Sequence, residues 1–146
     1  MSANPSLSSR QTVTPYLISK NASEAIAFYQ RAFGAVELER MTSDDGRVGF
    51  AELQIGNARL MISDEYPEID VLGPQSRGGT TVGLVINLEA LADVDQWVER
   101  AVAAGARLAR PAADQGVGVR NVILFCPYGH RWFISAVLVA AGQAHE

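Results

Sequence analysis

The chain has 146 residues, 48% of them hydrophobic and 19% charged, with a formal charge of −4; this is ordinary composition for one globular domain, which at this length buries about two-thirds of its unfolded surface. No excess of positive charge is offered to nucleic acid or to anionic lipid, so small molecules or other proteins are the expected partners. A single cysteine cannot form an internal disulfide, in keeping with a reducing cytoplasm.

Residues 1–11 are rich in Ser, Asn and Pro and read as a disordered lead-in, and 141–146 as a tail, leaving one domain over 12–140. "MSANPSLSSR" contains no apolar secretory core, and "FISAVLVAAG" is too short to span a bilayer, so neither secretion nor a membrane anchor is expected. "TVTPYLIS" predicts a strand, and Asn21 or Ser23 offers a cap to a helix over "EAIAFYQRAF" that Gly34 ends. "AVELERMTSDDGRVGFAELQIGNARLMIS" predicts three strands turned at "DDG" and "GN".

The next segment, with its Pro and Gly breakers, is a linker over 67–79 between modules at 12–66 and 80–140. In the second module "TTVGLVINL" is a strand. "ALADVDQWVERAVAAGA" is a helix with Leu91, Val94, Val98 and Val102 inward, and "RLARP" is a short strand stopped by proline. "VGVRNVILFC" and "RWFISAVL" complete the module. "RLMIS" (59–63) is echoed by "RWFIS" (131–135) within the same β-α-β-β-β order. The period of roughly 70 residues marks an internal duplication whose halves complete each other.

"TPYLIS", "EAIAFYQRAFGA", "GFAELQIGNARLMISDEYP", "ERAVAAGA" and "PYGHRWFIS" together resemble the vicinal oxygen chelate superfamily, the glyoxalase, bleomycin-resistance and dioxygenase fold, and within it the PhnB-like branch. The resemblance implies an α+β fold of two tandem βαβββ modules forming an eight-stranded, barrel-like sheet around a cavity. It also implies a homodimer in which a second chain commonly completes the pocket. Relatives that use a metal place His and Glu ligands on the first and last strands of each module. Those positions here carry Thr14, Met61, Gly83 and Phe133, which offer a divalent cation little or nothing. No cofactor is therefore expected, and a divalent metal is not.

Strand alternation from Thr14 puts Tyr16 and Ile18 on the cavity side, with Val13 and Leu17 under the helix. In "VGFAELQI" it puts Val48, Phe50, Glu52 and Gln54 on the cavity side and Gly49, Ala51, Leu53 and Ile55 beneath the helix. Asn121, Ile123 and Phe125 correspond in the second module. The candidate ligand-binding residues are Tyr16, Phe50, Glu52, Met61, Asn121 and Phe133. Glu52 is either an acid, base or ligand partner among aromatic neighbours, or a rim carboxylate paired with Arg47, Arg59 or Arg131. In the related branch the position of Phe50 is commonly His, and an aromatic there favours stacking over proton transfer.

Tyr29 and Trp97 lie on apolar helical stripes and read as core. The linker has the length of a lid, with Tyr66 either closing over the pocket or anchoring a surface loop. Cys126 and His130 flank a Pro-x-Gly turn, in a slot where the resemblance expects Asp for Cys126. They read as a tight turn, with the histidine hydrogen-bonded to backbone, rather than as a reactive pair. The functional expectation is a metal-free small-molecule binding protein engaged in drug or metabolite sequestration. Whether it is an enzyme stays open, the alternative being a lyase, isomerase or dioxygenase using Glu52 as acid or base with an atypically bound divalent metal.

Overall fold

In a computed structural model, residues 11–114 and 118–137 are described. The first module runs β1 (Tyr16–Ser19), α1 (Ala22–Phe33), β2 (Val36–Thr42), β3 (Val48–Ile55) and β4 (Ala58–Asp64). The second runs β5 (Gly83–Leu88), α3 (Leu91–Ala104), β6 (Arg107–Asp114), β7 (Val119–Phe125) and β8 (Arg131–Val137). Between them the linker holds a single 3-10 turn at Pro67–Ile69 and the one-turn helix α2 (Pro74–Arg77). The sheets have the same order, β1-β4-β3-β2 and β5-β8-β7-β6, with the first and last strand of each module parallel. The duplication read from "RLMIS" and "RWFIS" is thus a duplication of topology. Met61 stands opposite Tyr16 as Phe133 stands opposite Val85. Among the described residues no strand of one sheet pairs with a strand of the other, so the eight strands form two four-stranded sheets and not one hydrogen-bonded barrel.

Local chemistry sets the element ends. Asn21 caps α1 by accepting from the Glu24 N–H at 3.2 Å, and Gly34, at φ 69°, closes it in the left-handed conformation. Asp64 does what the sequence did not announce. Its two carboxylate oxygens accept from Ala22 N at 2.8 Å and Val48 N at 2.6 Å, tying the start of α1 to the start of β3. Gln11, assigned to the lead-in, is docked. Its amide donates to the Arg59 carbonyl at 3.0 Å and accepts from the Arg59 N–H at 2.6 Å, pairing with β4 as a strand residue would. Residues 1–10 and 138–146 lie outside the described part.

Each sheet carries its helix on one face, and α1 packs against α3, so both modules share one core. The aromatic centre of that core spans both modules. Tyr29 and Phe33 of α1 lie 5.2 and 4.9 Å from the Trp132 ring of β8, and Trp97 stacks on Phe33 at 6.1 Å. Tyr29 is fully buried as expected, donating to Cys126 Sγ at 3.2 Å and accepting from Trp132 Nε1 at 3.3 Å. Trp97 is half-buried against the core.

Four expectations of the pattern fail for identifiable reasons. Val13 precedes the strand and is 81% exposed rather than covered by the helix. Val102 lies at the edge of the apolar stripe of α3 and is exposed, Ala101 taking the inward place. Proline does not stop β6, which runs on through Pro111, because β6 is an edge strand and an edge position can lack its N–H without losing a ladder bond. Val48 belongs to the core. Met41 pairs with Phe50 and Thr42 with Val48, so Gly49 is the extra residue of a β-bulge and the alternation reverses there.

Candidate functional site

The faces of the sheets turned from the helices carry the candidate residues. On the first sheet Tyr16, Met61 and Glu52 stand abreast on β1, β4 and β3, with Glu39 continuing the row on β2. Phe50 lies one pleat further along β3. The Tyr16 hydroxyl donates to the Gly49 carbonyl at 3.3 Å, and the Tyr16 and Phe50 rings meet edge to face with centroids 6.3 Å apart. The structure therefore brings Tyr16, Phe50, Glu52 and Met61 onto one surface. The Glu52 carboxylate lies 3.8 Å from Arg59 Nη1, one of the three rim partners the sequence allowed. Of the other two, Arg47 is held by Asp45 and Glu68, each at 2.6 Å.

The linker folds over one end of this surface. The Tyr66 hydroxyl shares a hydrogen bond with Ser43 Oγ, and the Arg47 guanidinium lies 3.9 Å above its ring. Tyr66, Ile69 and Val71 then border a cleft of about 580 Å³ with Tyr16, Ile18, Gly49 and Ser63. Hydrogen bonds from Arg47 hold Asp45 and Glu68 below the usual carboxylate range. The Ser76 hydroxyl and the Gly73 N–H do the same for Glu65, so the linker is fastened by the Arg47–Glu68 ion pair and by hydrogen bonds to the Glu65 carboxylate.

On the second sheet the corresponding face has three rows, read from β6 across β7 and β8 to β5. Arg107, Phe125, Arg131 and Gly83 form the first, and Arg110, Ile123, Phe133 and Val85 the second. The third contains Asn121, Ser135 and Asn87. Phe133 leans over Gly83 so closely that a Cβ on Gly83 would lie 2.5 Å from its ring. Asn121 accepts from Arg110 at 3.4 Å. Asn121 and Phe133 thus share a surface, but it belongs to the other sheet, and no described cleft is lined by both sets of candidates. Sequence reasoning missed Arg107 and offered Arg131 only as a rim partner of Glu52; the signal for both was the alternation that put Phe125 on this face and so its cross-strand neighbours beside it. It also missed a second cleft of about 580 Å³ between the β3–β4 turn and the free edge of β5, bordered by Ile55, Leu60, Val85 and Trp97.

Cys126 and His130 are both buried, and the bonds between them involve no imidazole: the Cys126 N–H donates to the His130 carbonyl at 2.9 Å and the His130 main-chain N–H to the thiol at 3.3 Å. The imidazole turns away, with Nε2 at 3.0 Å from the Ile18 carbonyl of the first module. Burial pushes the Cys126 thiol up, the reverse of what a nucleophile needs, and lowers the His130 imidazole. The pair is a seam between modules.

Met61 on β4 and Phe133 on β8 are the residues the resemblance sets at metal-ligand positions, and the Phe133 ring fills the space over Gly83. Among the described residues no three His, Cys, Asp or Glu side chains gather to hold a metal. A thioether, a phenyl ring and a glycine do not fit a divalent cation.

Comparison with known proteins agrees with this architecture. The pattern of the Glyoxalase/Bleomycin resistance protein/Dioxygenase superfamily matches residues 11–134. Uncharacterized proteins of Mycobacterium bovis and Mycobacterium tuberculosis are 36% identical over 123 residues, covering 82% of this chain and 79% and 71% of theirs. Among solved structures, TioX of a Micromonospora species superposes with TM-score 0.65 at 22% identity, over 89% of this chain and 98% of its own. The fosfomycin resistance protein FosX of Listeria monocytogenes superposes with TM-score 0.68 at 18% identity, over 88% and 94%. A PhnB protein of Bacillus cereus gives 0.68 at 18%, over 87% and 100%. At these identities the structures speak for the fold alone. With the repeated βαβββ topology and the match across nearly all of both modules, the chain belongs to the Glyoxalase/Bleomycin resistance protein/Dioxygenase superfamily.

Proposed function

We propose that this chain is a metal-free small-molecule binding protein of the PhnB-like branch, a cytoplasmic homodimer that sequesters a flat, partly apolar drug or metabolite. One observation carries the reading. Aromatic and aliphatic side chains stand uncovered in register on the open faces of the sheets, Tyr16 at 47%, Met41 at 59% and Val85 at 53% exposure. Scattered apolar residues on a surface are ordinary, whereas contiguous rows with polar groups at their ends mark a binding surface. Tyr16, Phe50, Glu52 and Met61 supply one wall and Asn121 and Phe133 the other, and a second copy of the chain joins two such walls into a closed pocket. No helix among the described residues is long and apolar enough to cross a membrane. The likeness to a resistance protein supports drug sequestration by analogy of fold only.

The enzymatic reading, with Glu52 as acid or base beside an atypically bound metal, has less behind it. Arg59 engages the Glu52 carboxylate, and Glu39 is the one further carboxylate in its row. The test is a thermal-shift screen of planar compounds on protein treated or not treated with a chelator, with metal analysis of both samples. Hits whose stabilisation is unchanged by the chelator and weakened by Glu52→Gln and Phe50→Ala support the reading. Stoichiometric Fe, Ni, Zn or Mn, lost together with an activity, overturns it.

A further inference from the structure

The two modules share a topology but present faces of opposite charge. The Tyr16–Met61–Glu52–Glu39 row of the first sheet is acidic at its β3 and β2 end, with Glu39 and Glu52 side by side and Arg59 beside Glu52. The second-sheet face carries Arg107, Arg110 and Arg131, and among the described residues no carboxylate lies within ion-pair distance of any of them. The other described ion pairs engage Arg40, Arg47, Arg59, Arg77 and Arg120. The arginines are also organised. Phe125 stands between Arg107 and Arg131 in one cross-strand row, with the guanidinium carbons 4.7 and 5.4 Å from the centre of its ring. Stacking fixes the plane of a guanidinium while leaving its N–H edges for an acceptor. Arg131 spends one N–H on the Thr80 carbonyl, at 3.4 Å.

The rows beside this one complete a graded surface. Ile123, Phe133 and Val85 give an apolar strip with Arg110 at its β6 end, and Asn121, which accepts from Arg110, the buried Ser135 and the exposed Asn87 give a polar far side. Rows two residues apart on a strand are separated by about 6.6 Å, so the distance from the arginine row to the amide rim is on the order of 13 Å, about the length of a two-ring aromatic molecule. From this arrangement we propose that the second-sheet face is an oriented site for a planar aromatic carboxylate. The ring system lies over Phe133, Ile123 and Val85, and the carboxylate is held between Arg107 and Arg131. The assignment rests on the reading of these faces as ligand-binding surfaces and adds the charge and direction of the ligand.

Calorimetric titration of 2-naphthoate and of 2-naphthamide, alike in shape and different in charge, tests it. Wild-type protein should bind the carboxylate about tenfold more tightly, and the preference should shrink as sodium chloride is raised. The double variant Arg107→Gln/Arg131→Gln should lose the preference and bind both probes equally, and Phe133→Ala should weaken both. Equal binding of both probes by the wild type, or a preference that survives the double variant, overturns the charge assignment while a Phe133-dependent affinity leaves the ligand-binding reading standing. Binding of neither probe, or binding indifferent to Phe133→Ala, overturns both. If the double variant instead turns a dimer into a monomer and neither probe binds, the arginines serve a second copy of the chain and the inference fails.

Discussion

Two glycines offer a controlled experiment on where this fold is rigid. A Cβ built on Gly73 would lie 2.5 Å from the Ile18 carbonyl oxygen, and one built on Gly83 would lie 2.5 Å from Cε1 of Phe133. Both overlaps are about 1 Å deeper than a favourable contact, and neither glycine has a positive φ, so alanine is acceptable to both backbones. The neighbours differ. Ile18 is in β1, whose carbonyl is already held by His130, so Gly73→Ala must displace backbone of the linker or of the strand. Overpacking of that kind costs about 1–3 kcal/mol, less the few tenths that alanine regains by restricting the unfolded chain. Phe133 is half-buried on an open face and can swing aside by rotation about its side-chain bonds, so Gly83→Ala should change stability by less than about 0.5 kcal/mol. Urea unfolding followed by tryptophan fluorescence measures both. An equal loss in the two variants would refute the claim that Phe133 is an adaptable surface of the site. In ligand binding the order reverses, since Gly83→Ala moves the ring that the ligand contacts.

Three further outcomes follow from the same geometry. Because burial lowers the folded-state imidazole of His130, the unfolded chain takes up a proton near its ordinary value of 6.5 that the folded chain refuses. Stability should therefore be full above that pH and fall as pH drops from about 6.5 toward the lowered value, and in His130→Gln this part of the pH dependence should vanish in unfolding titrations at fixed temperature. Asp64→Ala leaves the N–H groups of Ala22 and Val48 without their acceptor, and urea unfolding should show a loss of about 2–6 kcal/mol, since each unsatisfied group costs about 1–3. The Cys126 thiol, buried and pushed up, should react with a disulfide reagent at neutral pH only as fast as the protein opens, and should react at once in denaturant.

The sequence carried the parts of the fold that local chemistry decides. Asn21 and Gly34 ended the first helix where a side-chain acceptor and a left-handed residue were available, and the echo of "RLMIS" in "RWFIS" marked the duplicated strand that lies inside each sheet. Alternation correctly separated Leu17 and Leu53 from Tyr16 and Glu52. It broke at Gly49, because a bulge inserts a residue that no periodic reading anticipates. What depends on distant partners was not legible. The pairing of Gln11 with Arg59 spans nearly fifty positions in the chain, and the three-strand stack of Arg107, Phe125 and Arg131 exists only once register is fixed. The division of the candidates between two sheets follows from strand pairing, and repeat similarity alone cannot say whether two modules close one sheet or keep two.

The central claim is that this chain holds an organic ligand against Met61 and Phe133 without a metal. A crystal structure of the protein purified from its native host tests it most directly. The expected result is density for a flat organic molecule over those two side chains and no metal peak beside them. A metal ion coordinated on the open faces, or faces covered only by the protein's own side chains, would contradict it.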